Sequence, residues 1–253
     1  MTTHALADTA VLTGRSLRHI LRSPDTIVTT AIMPIAMMLL FVFVFGGAID
    51  TGGTAYIDYL LPGILLVTVA SGVAYTAYRL FLDMKGGIID RFRSMAIAST
   101  SVLWGHVLTS VLANAVSLAV VVGVALLLGF RSSASVGAWL GVIGILMLFT
   151  LALTWIAVIA GLAAKTIDGA SAFSYPLIFL PFVSSAFVPT GTMPGPVRWF
   201  AENQPVTSIV DTVRALLAQQ PVGGQIWIAL VWCVAILGVA ATVAVVLFRR
   251  TTR

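Results

Sequence analysis

The sequence predicts an all-α integral membrane protein of six transmembrane helices, and three observations lead there. Hydrophobic residues make up 59 % of the 253-residue chain and charged residues 9 %, where a soluble domain carries about 25 % charge. A chain surrounded by lipid needs polar side chains only at its two ends. Six apolar stretches, at 26–49, 58–82, 101–129, 136–163, 170–189 and 225–248, each reach the ~20 residues that cross about 30 Å of hydrocarbon. Finally, the cations are lopsided. Eleven (Arg15, Arg18, Arg22, Arg79, Lys85, Arg91, Arg93, Lys165, Arg249, Arg250 and Arg253) fall on one side of these stretches and three (Arg131, Arg198, Arg214) on the other. Lys and Arg are retained on the cytoplasmic face, so a multi-pass chain with both termini in the cytoplasm is expected. The net charge of +5 then reads as a topological address and a contact with lipid headgroups. It is not a sign of nucleic-acid binding.

The elements follow in order. Within residues 8–23, Arg15, Arg18 and Arg22 share one helical face while Leu17, Ile20 and Leu21 lie elsewhere, which predicts an interfacial helix ending at Ser23-Pro24-Asp25. A soluble cytoplasmic tail is the alternative. The charged region is too long, and the first apolar run too long and without a small-residue cleavage pattern, for a cleavable signal. The second stretch is interrupted by Ser71, Tyr75, Tyr78 and Arg79, and the fifth by Pro176 and Pro181, which predict a kink or break there. Gly137 and Gly141 form a GxxxG in the fourth, a spacing common in membrane helices.

Catalytic chemistry leaves no pattern in the sequence. Glu202 is the only glutamate, and His4, His19 and His106 are scattered, so neither a zinc-protease helix nor a metal-ligand spacing is present. Cys233 stands alone and reads as an apolar packing residue. The nearest approach to a phosphate loop, Gly161 to Thr166, lacks the glycine before Lys165, and Lys85 offers nothing better. No Asp, Glu, Lys or Arg falls at the centre of a stretch, whereas coupled transporters place ionisable groups there. Energy must then come from a partner chain.

Two segments carry more information. Between the second and third stretches, residues 84–98 place Ile88, Ile89, Phe92 and Met95 on an apolar stripe beside Asp90, Arg91 and Arg93. A helix this short needs something to bury the stripe. A socket on another protein would serve, and so would a lipid surface. In 189–218, two short helices are predicted. One starts near Pro196 with an Arg198/Glu202 pair and interfacial Trp199 and Phe200, and the second has Val206, Ile209, Val210, Val213 and Leu217 on one face. Both should half-enter the outer leaflet or plug against the spans.

The run GIIDRFRSMAI at 87–97, followed by SSAFVPTGTMPGPVRWFAENQPVTSIVDTVRALL at 184–217, closely resembles the permease subunits of type-2 ATP-binding-cassette exporters, in the daunorubicin-resistance-like branch. The resemblance covers nearly the whole chain. It implies a non-catalytic efflux subunit of a bacterial plasma membrane, paired with a second copy or a paralogous permease. Two copies of a cytoplasmic ABC ATPase would hold ATP and Mg, leaving no cofactor in this chain. By resemblance, Gly87, Ile88, Ile89, Asp90, Arg91, Phe92, Arg93, Ser94 and Met95 match the coupling helix that seats in the ATPase. Residues 189–217, with Pro189, Met193, Pro194, Gly195, Asn203 and Pro205, match extracytoplasmic re-entrant helices that cap the path. Ala96 stands where family members commonly have proline, which bears on how that coupling helix ends.

Ser71, Tyr75, Tyr78 and Leu82 fall on one face of the second stretch, and Phe179, Phe182 and Ser184 belong to the fifth, which the resemblance places beside the path. Aromatics with a few hydroxyls suit a planar, amphipathic, lipid-soluble solute. Plain helix packing would produce the same stripe. A lipid or polysaccharide cargo, and an ATP-independent secondary transporter, are the competing readings.

Overall fold

The computed structural model describes residues 24–47, 55–86 and 99–251. The interfacial helix expected at 8–23, and residues 87–98 of the expected coupling segment, lie outside the described residues. The order is α1 (Pro24–Leu40), continued by a π turn at Phe41–Phe45, then α2 (Tyr56–Lys85), α3 (Ser99–Leu127) and α4 (Val136–Ala163). A broken element follows: α5 (Ile167–Ala172), α6 (Ser174–Phe179) and a 3₁₀ turn at Leu180–Val183. A second 3₁₀ turn at Thr190–Thr192 leads to α7 (Gly195–Asn203), α8 (Pro205–Leu217) and α9 (Gln225–Thr251). No strand occurs among the described residues.

Four of these, α2, α3, α4 and α9, are long and apolar enough to cross a membrane, while Thr30–Phe45 and Ile167–Val183 are shorter apolar helices. The four long ones lie within a few residues of the stretches expected from hydropathy. The fifth stretch breaks where its prolines predict: Pro176 lies within α6 and Pro181 within the 3₁₀ turn. Local signals set other ends. Ser135 caps α4 by accepting from the Ala138 N–H, and Thr166 caps α5 by accepting from Gly169. The two helices predicted beyond the fifth stretch form as α7 and α8, split at the extended Gln204 that precedes Pro205.

Helix α2 is the hub of the bundle, packing against α1, α3, α4, α5, α6 and α8. In its most apolar 18-residue window 83 % is buried, against 17 % in α9. That contrast explains its sequence. A helix surrounded by protein can carry Ser71, Thr76 and two tyrosines, whereas α9 exposes Trp227, Val231, Val234 and Val239 and is apolar on nearly every side. Helix α3 runs opposite to α2, α4 and α9, whose C-terminal ends share one apolar cluster with its first turns, so Lys85, Lys165, Arg249 and Arg250 collect at one end of the bundle and Arg131 and Arg198 at the other.

Close approach depends on three glycines. A Cβ on Gly72 would lie 2.2 Å from Asn114 Oδ1, one on Gly63 would lie 2.7 Å from the Ala186 Cβ, and one on Gly161 would lie 2.9 Å from the Ala77 carbonyl oxygen. Gly141 faces Leu216 of α8, where a Cβ would come within 3.3 Å, and a Cβ on Gly137 would meet only Ser135 Oγ at 3.9 Å. Within the described residues, Gly141 thus serves contact with α8.

Gly161→Ala is therefore expected to destabilise by about 1–3 kcal/mol, since the opposing group is backbone and cannot yield. Gly144→Ala, with no atom within 4 Å of its Cβ, should be neutral or mildly stabilising through helix propensity. Thermal unfolding followed by maleimide labelling of Cys233, the single cysteine and a buried one, reads both.

Candidate functional site

Breaking a helix inside a low-dielectric bundle frees backbone carbonyls, and each must find a donor or cost several kcal/mol. The end of the fifth element meets this requirement with side chains from three directions. Ser174 Oγ donates to the Ser171 carbonyl at 2.6 Å, and Ser184 Oγ donates to the Pro181 carbonyl while accepting from the Ala186 N–H. Gln204, 5 % exposed, donates from Nε2 to the Val183 carbonyl at 2.7 Å and more weakly to Leu180 at 3.4 Å. Tyr59, from the first turn of α2, donates its hydroxyl to the Ser185 carbonyl at 3.0 Å.

Arg214 of α8 completes the set. Its Nη2 donates to the Ser185 carbonyl at 2.8 Å, to Tyr59 at 3.2 Å and to Ala186 at 3.4 Å. Its Nη1 donates to Asp211 Oδ1 at 3.0 Å, and that same oxygen accepts from Ser185 Oγ at 2.6 Å. The guanidinium carbon sits 4.0 Å from the centre of the Tyr59 ring, a cation–π contact. Burial pulls the Arg214 pKa down from its usual value, opposed by Tyr59 and Asp211, and the guanidinium stays charged. One side chain thus joins α2, the break and α8.

At the opposite end of α8 from this clamp, by the Gln204–Pro205 turn, lies a cavity of about 130 Å³ lined only by apolar residues: Leu66, Ala70, Phe149, Leu153, Ile156, Leu177, Leu180, Pro181, Pro205, Val206 and Ile236. Prolines stand on two of its walls, one at the break and one at the start of α8. Deeper in the bundle, a polar seam joins three helices: Thr76 Oγ1 donates to Ser110 Oγ at 2.6 Å, Ser110 and Thr154 hydroxyls lie 3.3 Å apart, and Asn114 Nδ2 donates to the Ser110 carbonyl at 3.0 Å. At the other end of α2, His106 Nε2 lies 3.1 Å from Asp83 Oδ2, a pairing across helices that sequence spacing did not reveal.

The residues proposed from sequence fall as follows. Ser71, Tyr75, Tyr78 and Leu82 line the part of α2 left half-open, while Val73, Thr76, Ala77, Leu80 and Phe81 between them are buried. Tyr75 and Tyr78 rings lie 6.1 Å apart, with the Arg79 guanidinium 5.8 Å from the Tyr75 ring, and Ser71 Oγ returns to its own helix at Val67. Phe179 and Phe182 pair at 6.2 Å, and Phe182 continues a stack through Phe187 to Phe41 at 4.8 and 5.0 Å. The Phe187 ring lies against Gly63, twelve residues or roughly 18 Å along α2 from Tyr75. The tyrosines and phenylalanines therefore form two clusters at different depths. Ser184 is fully buried, with its hydroxyl committed locally.

The residues proposed as a gate are more peripheral. Pro189, Pro194 and Gly195 are exposed and Met193 half-buried. Pro189 and Pro194 carbonyls accept from Thr192 and Arg198 N–H groups, and Asn203 Nδ2 donates to the Trp199 carbonyl. Pro205 opens α8 and lines the cavity. On α7 only Ala201 is buried. The predicted Arg198–Glu202 pair forms at 2.7 Å. Arg198's hydrogen bond holds the Glu202 carboxylate below its usual pKa, so the pair persists until the pH falls through that lowered value. Being exposed, it adds little stability. Gln204, Asp211, Tyr59 and Ser185 were not singled out from sequence. The signal available was an Asp and an Arg three residues apart on an otherwise uncharged helix.

Gln204→Met keeps the side chain's length but removes the donor shared by Val183 and Leu180. It should lower stability by about 1–3 kcal/mol, whereas Asn203→Ala at the exposed neighbour should cost under ~0.5 kcal/mol. The Cys233 labelling assay distinguishes them.

The chain is 32 % identical over 222 residues, 84 % of its own length and 76 % of the relative's, to the daunorubicin resistance ABC transporter permease protein DrrB1 of Streptomyces coeruleorubidus. It is 24 % identical over 251 residues, 98 % of its length and 90 % of the relative's, to the probable doxorubicin resistance ABC transporter permease protein DrrC of Mycobacterium tuberculosis. The model of the ABC-2 type transporter family matches residues 8–218, a range that takes in α1 to α8 and the clamp between them, and the chain belongs to that family.

Proposed function

We propose that this chain is the permease subunit of an ABC exporter that moves a hydrophobic or amphipathic solute outward, driven by ATP hydrolysis in a separate ABC ATPase. The observation that carries this reading is the family match over residues 8–218, a range that takes in the segment between α2 and α3 and the 184–217 region. The named relatives are drug-resistance permeases, and a planar, lipid-soluble drug suits the aromatic stripe of α2.

In this reading the chain crosses a bacterial plasma membrane six times, α1 with its π turn and the broken fifth element completing the four long helices. Both termini and the Lys/Arg-rich end face the cytoplasm. Residues 8–23 lie in the membrane plane against lipid. Residues 84–98 form the coupling helix, with Ile88, Ile89, Phe92 and Met95 seated in the ATPase groove, and ATP and Mg are held by that partner. Helices α7 and α8 re-enter from outside and cap the path. Two copies of the permease, or this one and a paralogue, stand over two ATPase subunits. The half-open face of α2, with Ser71, Tyr75 and Tyr78, lines the path, and Phe179 and Phe182 border it farther out. Support for α2 in this role is physical. Among the described helices it packs against six others, α1, α3, α4, α5, α6 and α8, so a push at its cytoplasmic end is felt by each of them.

Three experiments test this. In proteoliposomes holding the chain with the ABC ATPase encoded beside it, a fluorescent anthracycline should be exported only with ATP. Export by the permease alone, or without nucleotide, overturns the reading. Phe92→Asp, or Asp90→Ala with Arg91→Ala, should abolish export while insertion and basal ATP hydrolysis persist. Unchanged export would remove 84–98 from the coupling role. Tyr75→Ala and Tyr78→Ala should raise the solute concentration needed for half-maximal stimulation of hydrolysis. A simple loss of stability with that concentration unchanged would assign the stripe to packing.

A further inference from the structure

The clamp at Arg214 is built differently from the rest of the bundle. Elsewhere α8 is held mainly by apolar knobs, with Val206, Ile209, Val210, Val213 and Leu217 all buried, and by neutral hydrogen bonds from Thr207 to the Ala201 carbonyl and from Ser132 to the Leu217 carbonyl. At one point it is held by a single cation whose Nη2 is shared among three carbonyls at 2.8, 3.2 and 3.4 Å. Its Nε is buried without an acceptor. A charged fork spread over several weak acceptors exchanges partners at small cost, because each bond nets only ~1 kcal/mol. A packed knob has no such alternative. The approach to α7 is loosely packed: nothing lies within 4 Å of a Cβ on Gly191 or Gly195, and α7 buries only Ala201. The clamp itself bridges the three elements that close this end: the first turn of α2, the broken fifth element and α8.

We propose that Arg214 is a positioning residue for transport, latching α8 and the 184–186 segment to α2 through Asp211, Ser185 and Tyr59, and that solute leaves only when this latch opens. The inference rests on the exporter reading above and on this end of the bundle being the exit side. During export α8 and the break separate, the Ser185–Asp211 hydrogen bond parts, and the guanidinium exchanges carbonyl acceptors for water. No covalent step is involved.

The test uses the permease–ATPase complex in proteoliposomes, with Ser185→Cys and Asp211→Cys introduced beside Cys233→Ala, and a short reducible bis-thiol reagent to bridge the new pair. Bridging should stop ATP-driven export of the anthracycline while hydrolysis continues, and reduction should restore export. A bridged complex that exports as fast as the reduced one overturns the latch. Should the reduced double variant fail to export, Arg214→Lys decides. An ammonium cannot hold Asp211 and the carbonyls together, so leak of solute without nucleotide should rise about fivefold, the shift expected from one lost hydrogen bond. Unchanged leak with only lowered thermal stability overturns the proposal. Failure of the unsubstituted complex to export with ATP would instead remove the exporter reading itself.

Discussion

The unmet carbonyls of the broken fifth element are the constraint on which the rest of this bundle depends. Proline at 176 and 181 prevents a continuous helix, and the hydrocarbon offers no water to the backbone groups so released. The chain answers with Ser174, Ser184, Tyr59, Gln204 and Arg214, each donating to a carbonyl between residues 171 and 186. Two of the five come from the stretch that follows, which explains why α8 lies inside the bundle instead of on its surface. The Gln204–Pro205 turn and the Arg214 clamp fasten the two ends of α8 to the same break.

The second consequence concerns α2. Because α1, α3, α4, the broken element and α8 all pack on it, its surroundings are protein on most sides. Polar residues are then tolerated so long as they find partners. Thr76 reaches Ser110, and Gly72 makes room for Asn114. Hydroxyls joined across helices add modest energy each, but they set the register of α2, α3 and α4 relative to one another.

Much of the fold was legible in the sequence, and for definite reasons. Apolar runs of span length have few alternatives in a chain this poor in charge, so α2, α3, α4 and α9 emerged close to their boundaries. Pro176 and Pro181 announced the break, and Pro196 marked the start of α7. The apolar face of α8 was read correctly because 3.6-residue spacing is local. The clamp was not legible. Arg214 served only as a count of charge, because its partners Tyr59 and Ser185 stand 155 and 29 residues away. Asp83 and His106, likewise, meet only because α2 and α3 are antiparallel neighbours.

What the sequence determined by itself was the solvent of the chain, the positions of its four long helices, though six stretches of span length were expected, and the places where proline forbids a helix. Composition, run length and local stereochemistry decide those without reference to any distant residue. Only the tertiary structure decided that the most polar stretch would be the central helix, that the phenylalanines of the fifth element stand apart from the tyrosines of α2, and that one arginine would join three elements. Those outcomes depend on which carbonyls are left bare when the helices pack, a quantity that exists only once the chain is assembled.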